Sequence, residues 1–310
     1  MKYHLIYNPT ARSGRSKSDF KKILEMFKTR GVEFDKTLTR RKNEAIDIAR
    51  KITKDTSSVV VACGGDGTIG EVITGLMQQA EEKRPALGAL HIGTSPDFPR
   101  YHGIPTSVKE AVEFLFQATP CGIDVGRATY WDLYQKKVKV SHFGCNVNLG
   151  LGPSIASKSN NRYRAYLGDF LGTLLATLVS LAQHQKITLA IKIDGNKQKL
   201  DNLINLTIGK DPYLASGMRV PVTVPDNDGK FYYMSLQSAS KLKLLSQLWR
   251  VYWGNILDYQ GAALGRCEKM VISSDKPGMV EFDGDVRGYL PITIEVIPGA
   301  IKLLKKLKSS

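Results

Sequence analysis

Short apolar runs alternate with helix-like periodicities in the first part of the chain. Four runs rich in apolar and β-branched residues are predicted to be strands, at residues 3–7, 32–38, 59–63 and 86–92. Between them, apolar residues three and four positions apart predict helices, the first of which contains Phe20, Ile23, Leu24 and Phe27. Because strands that alternate with helices form parallel sheets, residues 1–122 are predicted to be an open, mostly parallel α/β domain.

The pattern changes after residue 122 to strands separated by Asp-Gly turns. The predicted strands are residues 137–143, 187–193, 203–208, 231–236, 269–273 and 291–297. Asp-Gly pairs, which favour tight hairpin turns, recur at Asp194-Gly195, Asp228-Gly229 and Asp283-Gly284. One long aliphatic helix is predicted at residues 164–184 and a shorter helix at 240–249. Residues 123–297 are therefore predicted to form a mainly antiparallel β-sandwich domain.

A glycine-rich turn follows the third predicted strand and carries the strongest chemical signal in the chain. The strand ends at Gly64-Gly65-Asp66-Gly67, and Thr68 is predicted to open a helix with Ile69, Val72, Ile73 and Leu76 on one face. Such a turn presents free backbone N–H groups and the positive end of a helix to an anion, usually a phosphate. The alternative is an ordinary glycine-rich βα turn, and the common phosphate-loop pattern G-x-x-x-x-G-K-[ST] is absent.

The block Gly64-Gly65-Asp66-Gly67-Thr68, with Glu71-Val72 and Gly75-Leu76, resembles the GGDGT-x-x-E-V-x-N-G-L signature of the diacylglycerol kinase catalytic superfamily. Thr74 stands where that superfamily usually has Asn. The resemblance implies an ATP-dependent lipid kinase with a nucleotide domain, an all-β lipid-binding domain and an active site in the cleft between them. It also implies that residues 298–310 return to the first domain. NAD kinases share only the shorter GGDGT core.

Two further loops extend this resemblance. Asn8-Pro9-Thr10-Ala11-Arg12-Ser13-Gly14 is similar to the superfamily's first nucleotide loop, with Arg12 in place of a glycine. Gly93-Thr94-Ser95-Pro96-Asp97-Phe98 is similar to G-T-G-N-D-F, with Ser95-Pro96 in place of Gly-Asn. The implied nucleotide-binding residues are Asn8, Pro9, Thr10, Ala11, Arg12, Thr39, Gly64, Gly65, Asp66, Gly67, Thr68, Glu71 and Thr94. Asp97 is implied as a ligand of the substrate hydroxyl, and a turn or helix-capping role is the alternative.

Two carboxylates are the candidate catalytic groups. Asp66 lies inside the phosphate loop and is expected to support Mg²⁺, with an Asx-turn that stabilises the loop as the alternative. Glu281-Phe282-Asp283-Gly284-Asp285 resembles the superfamily's D-G-E element, whose last residue accepts the proton. That role falls on Asp285, where Asp replaces Glu and withdraws the carboxylate by about 1.5 Å. A plain hairpin turn at Asp283-Gly284 is the alternative.

A third acidic segment, Asp226-Asn227-Asp228-Gly229-Lys230-Phe231, resembles the superfamily's N-D-G-x-[FL] element. In some bacterial members this element holds a structural Mg²⁺. The resemblance therefore implies a metal site formed by the Asp228 carboxylate with the carbonyls of Pro225 and Lys230. A second Asp-Gly turn without metal remains open as the alternative.

The amino-acid composition favours some classes of binding partner but does not identify a single one. With 44 basic and 29 acidic residues the formal charge is +15, which favours nucleotides, acidic lipid headgroups or nucleic acid. No aromatic-basic stretch supports nucleic acid, and no His/Cys spacing supports zinc. Four scattered cysteines and the lack of a signal-peptide layout predict a cytoplasmic protein with reduced thiols. The leucine stripe of residues 167–181 is interpreted as core packing, with an acyl-chain wall as the alternative.

The sequence hypothesis is thus a lipid kinase that uses ATP and Mg²⁺ to phosphorylate a diacylglycerol- or sphingoid-like hydroxyl. The basic, amphipathic tail of residues 301–308 adds peripheral contact with an anionic membrane as an expectation. A homodimer is left open. The two alternative hypotheses are a catalytically weak nucleotide- or lipid-binding protein of the same fold and, less favoured, an NAD kinase.

Overall fold

The chain forms two compact units. The computed structural model describes residues 2–14, 16–53, 58–133, 135–158, 164–185, 187–214, 218–238, 240, 246 and 256–306. The first unit comprises Met1–Val125, His142–Gly144 and Pro298–Ser310, and the second comprises Gly126–Ser141 and Cys145–Ile297. The predicted helix at residues 240–249 lies outside the described residues, apart from positions 240 and 246.

The first unit alternates strands and helices as the sequence pattern predicts. Its elements are β1 (Lys2–Tyr7), α1 (Lys17–Thr29), β2 (Phe34–Leu38), α2 (Glu44–Lys51), β3 (Ser58–Gly64), α3 (Asp66–Met77), β4 (Ala86–His91), α4 (Asp97–Tyr101) and α5 (Val108–Gln117). The next strand, β5 (Thr119–Asp132), begins in this unit and continues into the second.

The parallel sheet of the first unit has the strand order β2–β1–β3–β4. Every residue of β3 is buried, which explains its continuous apolar run, since a central parallel strand is covered on both faces. Tyr3, Phe20, Phe27 and Val61 belong to the core that packs α1 and α5 against this sheet. The strand order reverses at β1, because β2 and β3 pair on opposite sides of it. Ligands of open α/β sheets bind at such a reversal, beyond the carboxyl ends of the strands.

The second unit consists mainly of antiparallel strands. Its strands are β6 (Val138–Phe143), β7 (Asn146–Gly150), β8 (Ile187–Ile193), β9 (Asn196–Gly209), β10 (Tyr213–Leu214), β11 (Met218–Arg219), β12 (Phe231–Gln237), β13 (Ala262–Cys267), β14 (Lys269–Ser273), β15 (Met279–Phe282) and β16 (Asp285–Lys305). The last two residues of β6 belong to the first unit. Its helices are α6 (Leu151–Lys158) and α7 (Arg164–Gln183). The last residues of β16 belong to the first unit, where Leu303 pairs in parallel with Leu87 of β4.

Two long strands join the sheets of the second unit. The first half of β9 pairs with β8, and its second half pairs with β7 and β12. Within this unit β16 likewise pairs first with β15 and then with β14. These strand partners confirm the predicted antiparallel β-rich class. They also show that the predicted strands at 203–208 and 291–297 are parts of longer strands.

The leucine stripe of α7 is only partly buried. Leu181 is 3% exposed, whereas Leu171, Leu175 and Leu178 are 56%, 36% and 38% exposed. The prediction of ordinary core packing is therefore wrong for these three leucines, because they lie on the outer face of the helix. Within the described residues, no helix combines the length and apolar character needed to cross a bilayer.

Candidate functional site

The first predicted nucleotide loop and the glycine-rich turn are hydrogen-bonded to each other. Asn8, directly after β1, donates from its backbone N–H to the carbonyl of Cys63 at 3.0 Å and from its side-chain amide to Thr68 Oγ1 at 3.0 Å. Its side-chain oxygen accepts from both N and Oγ1 of Thr10. The structure thus brings these predicted residues together at the reversal point between β1 and β3, the position expected for a ligand.

The glycine-rich turn leads directly into α3, which begins at Asp66, two residues before the predicted start at Thr68. Gly65 is the N-cap and, because it has no side chain, it makes no side-chain cap hydrogen bond to the helix. Gly93, from the loop after β4, lies so close to Gly65 that a Cβ on Gly93 would be 2.3 Å from the Gly65 Cα. Backbone without side chains therefore lies beside a helix N-terminus, an arrangement that suits a phosphate.

Asp66 lies between two other polar groups of the site. Its Oδ2 accepts the backbone N–H of Asp97 at 3.0 Å, which ties the start of α4 to the start of α3. Its Oδ1 lies 3.9 Å from Nε2 of His91. The structure therefore confirms that the loops carrying Asp66 and Asp97 meet, while the roles predicted for the two carboxylates remain predictions.

His91, the last residue of β4, is a buried imidazole that the sequence analysis missed. Burial lowers the pKa of His91 to about 4, opposed by a hydrogen bond to the Ser95 backbone and assisted by the charges of Arg12 and Arg100. At neutral pH the imidazole is uncharged, so it does not neutralise Asp66. Arg12 and Arg100 bring positive charge to these loops, and positive charge attracts a polyphosphate.

Arg12 adopts φ 50°, a left-handed conformation in which glycine is favoured. The diacylglycerol kinase signature has glycine at this position. Arg12 therefore keeps the glycine-like backbone conformation of the turn and adds a guanidinium group to it. The guanidinium pairs with Asp19 of α1 at 3.2 Å. The charge therefore remains near the loop on a half-exposed side chain.

Other predicted nucleotide-binding residues have structural partners. The Glu71 carboxylate accepts the backbone N–H of Asn43 at 3.1 Å, beside the start of α2. Thr39 is buried and donates its backbone N–H to the carbonyl of Tyr7. These contacts hold the loop after β2 next to β1 and α3. The nucleotide contacts predicted for Glu71 and Thr39 remain predictions.

The D-G-E-like element of the second unit forms a tight hairpin between β15 and β16. Asp283 and Gly284 have φ values of 48° and 85°, as a primed turn requires, and Phe282 pairs with Asp285. Asp283 Oδ1 accepts the backbone N–H groups of Cys145 and Asn146 at 3.0 and 3.2 Å. Asp285 follows the turn and lies 3.7 Å from Arg287. The hairpin thus holds Asp285 at a fixed position, the first requirement for a proton acceptor.

Glu281 lies beneath this hairpin and was also missed by the sequence analysis. Its Oε1 accepts the N–H of Gly284 at 2.6 Å, and its Oε2 accepts the amide of Asn148 at 2.8 Å. Asn148 in turn accepts from Thr207 Oγ1 at 2.7 Å. Burial raises the pKa of Glu281 to about 7; the two N–H donors oppose the rise and the charges of Asp283 and Asp285 add to it.

We expect this carboxyl group to make the stability of the second unit depend on pH. Between about pH 4.5 and 7 the folded chain holds a proton on Glu281 that the unfolded chain releases, so stability falls as pH rises and levels off above pH 7. Glu281→Gln removes this pH-dependent contribution to the free energy of unfolding. The free energy of unfolding of the wild type relative to the variant should fall by about 2–3 kcal/mol from pH 5 to pH 8.

Urea unfolding of both proteins at several pH values measures this difference. Glu268→Gln, which neutralises an exposed carboxylate of the same unit, is the control and should track the wild type. Parallel pH curves for wild type and Glu281→Gln would contradict the expectation.

The predicted metal ligand Asp228 lies in a cluster of cationic groups. Its carboxylate accepts from Lys210 Nζ at 2.7 Å and from the backbone N–H of Lys230 at 3.1 Å, and it also pairs with Arg266. The carbonyl of Lys230 accepts from Lys210 Nζ at 2.9 Å. Pro225 is exposed. Among the described residues, no three His, Cys, Asp or Glu side chains are grouped as a metal-ligand set.

Comparisons with known proteins match each of the two parts of the chain. A family profile described as "Diacylglycerol kinase catalytic domain" matches residues 2–128. A second profile, described as "YegS C-terminal NAD kinase beta sandwich-like domain", matches residues 146–305 and confirms the predicted sandwich class. Among curated relatives, a diacylglycerol kinase of Staphylococcus carnosus is 24% identical over 93% of this chain and 89% of its own length.

Two solved structures share the fold. A crystal structure of a diacylglycerol kinase from Bacillus anthracis superposes with a TM-score of 0.69 at 19% identity, covering 98% of this chain and 97% of that chain. The yeast NADH kinase complexed with NADH superposes with a TM-score of 0.51 at 12% identity, covering 99% of this chain and 84% of that chain. At these identities the likeness establishes the fold alone.

Proposed function

The chain belongs to the diacylglycerol kinase catalytic superfamily, and from that premise we propose that it transfers the γ-phosphoryl group of ATP to a lipid hydroxyl. One observation carries this proposal within the family. The glycine-rich turn before α3 is hydrogen-bonded to the loop after β1 through Asn8 and Thr68, with Asp66 at the first position of the helix. Phosphoryl transfer needs mainly a phosphate cradle, a cation and a proton acceptor.

The first unit supplies the phosphate cradle in this proposal. Backbone N–H groups at the start of α3 bind the phosphates, and Arg12 adds positive charge. Asp66 and Asp97 offer hard carboxylate oxygens, the ligand type that Mg²⁺ prefers, so these residues fit the metal that kinases of this kind typically use. When bound there with the nucleotide, Mg²⁺ would neutralise charge on the phosphate oxygens.

The second unit supplies the proton acceptor. Asp285 takes the proton of the attacking lipid hydroxyl, whose oxygen forms a bond to the γ-phosphorus while the bond to the β-phosphate oxygen breaks and ADP leaves. The hairpin contacts of Asp283 and Glu281 hold the Asp285 backbone in place. This support matters because a displacement of about 1 Å in a reacting group costs on the order of 10²-fold in rate.

A lipid rather than a nucleoside acceptor is supported by the surface of α7. Leu171, Leu175 and Leu178 recur every three to four residues and remain exposed, so they form an apolar face available to an acyl chain. The net charge of +15 supports peripheral contact with an anionic membrane surface.

An assay with γ-labelled ATP against diacylglycerol, sphingosine, phosphatidylglycerol and NAD tests this proposal. We expect label on one of the lipids and none on NAD. Label on NAD alone would instead identify an NAD kinase. Binding of ATP without label transfer to any acceptor would favour a nucleotide-binding protein that has lost catalysis.

A further inference from the structure

The strand ends around Asp228 are joined by a buried ammonium group. Lys210 follows β9 directly and is only 2% exposed. Its Nζ donates to the Asp228 carboxylate at 2.7 Å and to the Lys230 carbonyl at 2.9 Å. These acceptors are two of the three oxygen ligands that the sequence resemblance assigns to a structural Mg²⁺.

We propose that the Lys210 ammonium takes the place of this metal, so that the Asp228 turn is held by a cation belonging to the chain itself. A buried ammonium is stable only if it is paired and hydrogen-bonded, and the two oxygen acceptors provide that pairing. The ammonium therefore makes the contacts that a divalent ion would make with the same oxygens.

The charge balance of the cluster leaves little attraction for a metal ion. The Asp228 carboxylate accepts hydrogen bonds from Lys210, from the backbone N–H of Lys230 and from Arg266. Two positive side chains, Lys210 and Arg266, already contact this single negative charge. A divalent cation would be repelled by both of them.

The ammonium group of Lys210 also connects several strand ends of the second unit. It joins the end of β9 to the start of β12 through Lys230, while Arg266 adds β13 to the same carboxylate. The backbone N–H of Lys210 donates to the carbonyl of Cys145, whose own N–H donates to Asp283. The cluster therefore supports the segment against which the Asp283–Asp285 hairpin is hydrogen-bonded.

Thermal unfolding of the full chain without nucleotide tests this proposal independently of any kinase activity. The wild-type Tm should be the same in EDTA and in millimolar Mg²⁺ or Ca²⁺. Lys210→Met keeps the length of the side chain but removes its charge, leaving Asp228 without its buried partner. Because Arg266 still contacts Asp228, losing the buried half of this ion pair should lower the Tm by on the order of 5 °C. Added divalent cation should restore part of this loss, because the variant frees the Lys230 carbonyl and removes one of the two cations that contact Asp228.

Lys230→Met is the matched control. It removes an exposed ammonium but retains the backbone carbonyl that Lys210 uses, so its Tm should stay near that of the wild type. Two outcomes would overturn the proposal. One is a Lys210→Met protein as stable as Lys230→Met. The other, which needs no Lys210 variant, is a rise in wild-type Tm with Mg²⁺ that Asp228→Asn abolishes.

Discussion

Asp66→Asn is expected to reduce phosphoryl transfer from ATP by about 10²–10³-fold while the protein stays folded. The substitution keeps the size of the side chain and an oxygen that accepts the Asp97 N–H, so the contact between α3 and α4 survives. It removes the negative charge expected to hold Mg²⁺ beside the phosphates. The Mg²⁺ concentration required for half-maximal activity should therefore rise as the rate falls.

Steady-state kinetics at varied Mg²⁺, with circular dichroism to monitor folding, measures both effects. Asp35→Asn is the control, since Asp35 is exposed on β2 and pairs with Lys2. It should leave the rate unchanged. A folded Asp66→Asn protein with wild-type activity and unchanged Mg²⁺ dependence would remove Asp66 from the proposed mechanism.

Asp285→Asn is expected to lower kcat by about 10²–10⁴-fold, the usual contribution of a positioned general base. The KM for ATP should change little, because Asp285 is proposed to act on the acceptor hydroxyl and not on the nucleotide. The Asp283 contacts with Cys145 and Asn146 remain in this variant, so the hairpin should keep its conformation.

The kinetic effects of the two substitutions distinguish the proposed roles of Asp285 and Asp66. Asp285→Asn should leave the Mg²⁺ dependence intact, whereas Asp66→Asn should shift it. Asp275→Asn, at an exposed position of the same unit, is the control for charge loss alone. If Asp285→Asn retains wild-type kcat, another group must accept the proton, and the resemblance to the D-G-E element would then describe only a turn.

Much of the fold was predictable because burial leaves a periodic trace in the sequence. The strands at Ile187–Ile193 and Lys269–Ser273 have the predicted bounds, since each alternates buried and exposed residues. The Asp194-Gly195 and Asp283-Gly284 pairs are both turns with positive φ, as their composition indicated.

Other elements left no such trace. The first half of β9 is exposed at nearly every position and pairs with β8, so its polar sequence does not differ from that of a loop. The outer leucines of α7 have the spacing of a core stripe, and periodicity cannot tell whether a partner element covers them.

The candidate site divides in the same way. The glycine-rich turn, Asp66 and Asp285 could be proposed from the sequence because their backbone requirements and order are local properties of the chain. Glu281, His91 and Lys210 could not be found, because their roles depend on partners brought close only by folding. Glu281 and Asn148, for example, are 133 residues apart.

The sequence alone therefore determined the class of fold, the family resemblance and the loops that are predicted to present backbone to a phosphate. Tertiary structure decided which charges are buried and what neutralises them. The physical reason is that desolvation and ion pairing act between residues distant in sequence, and a pattern along the chain does not record those distances.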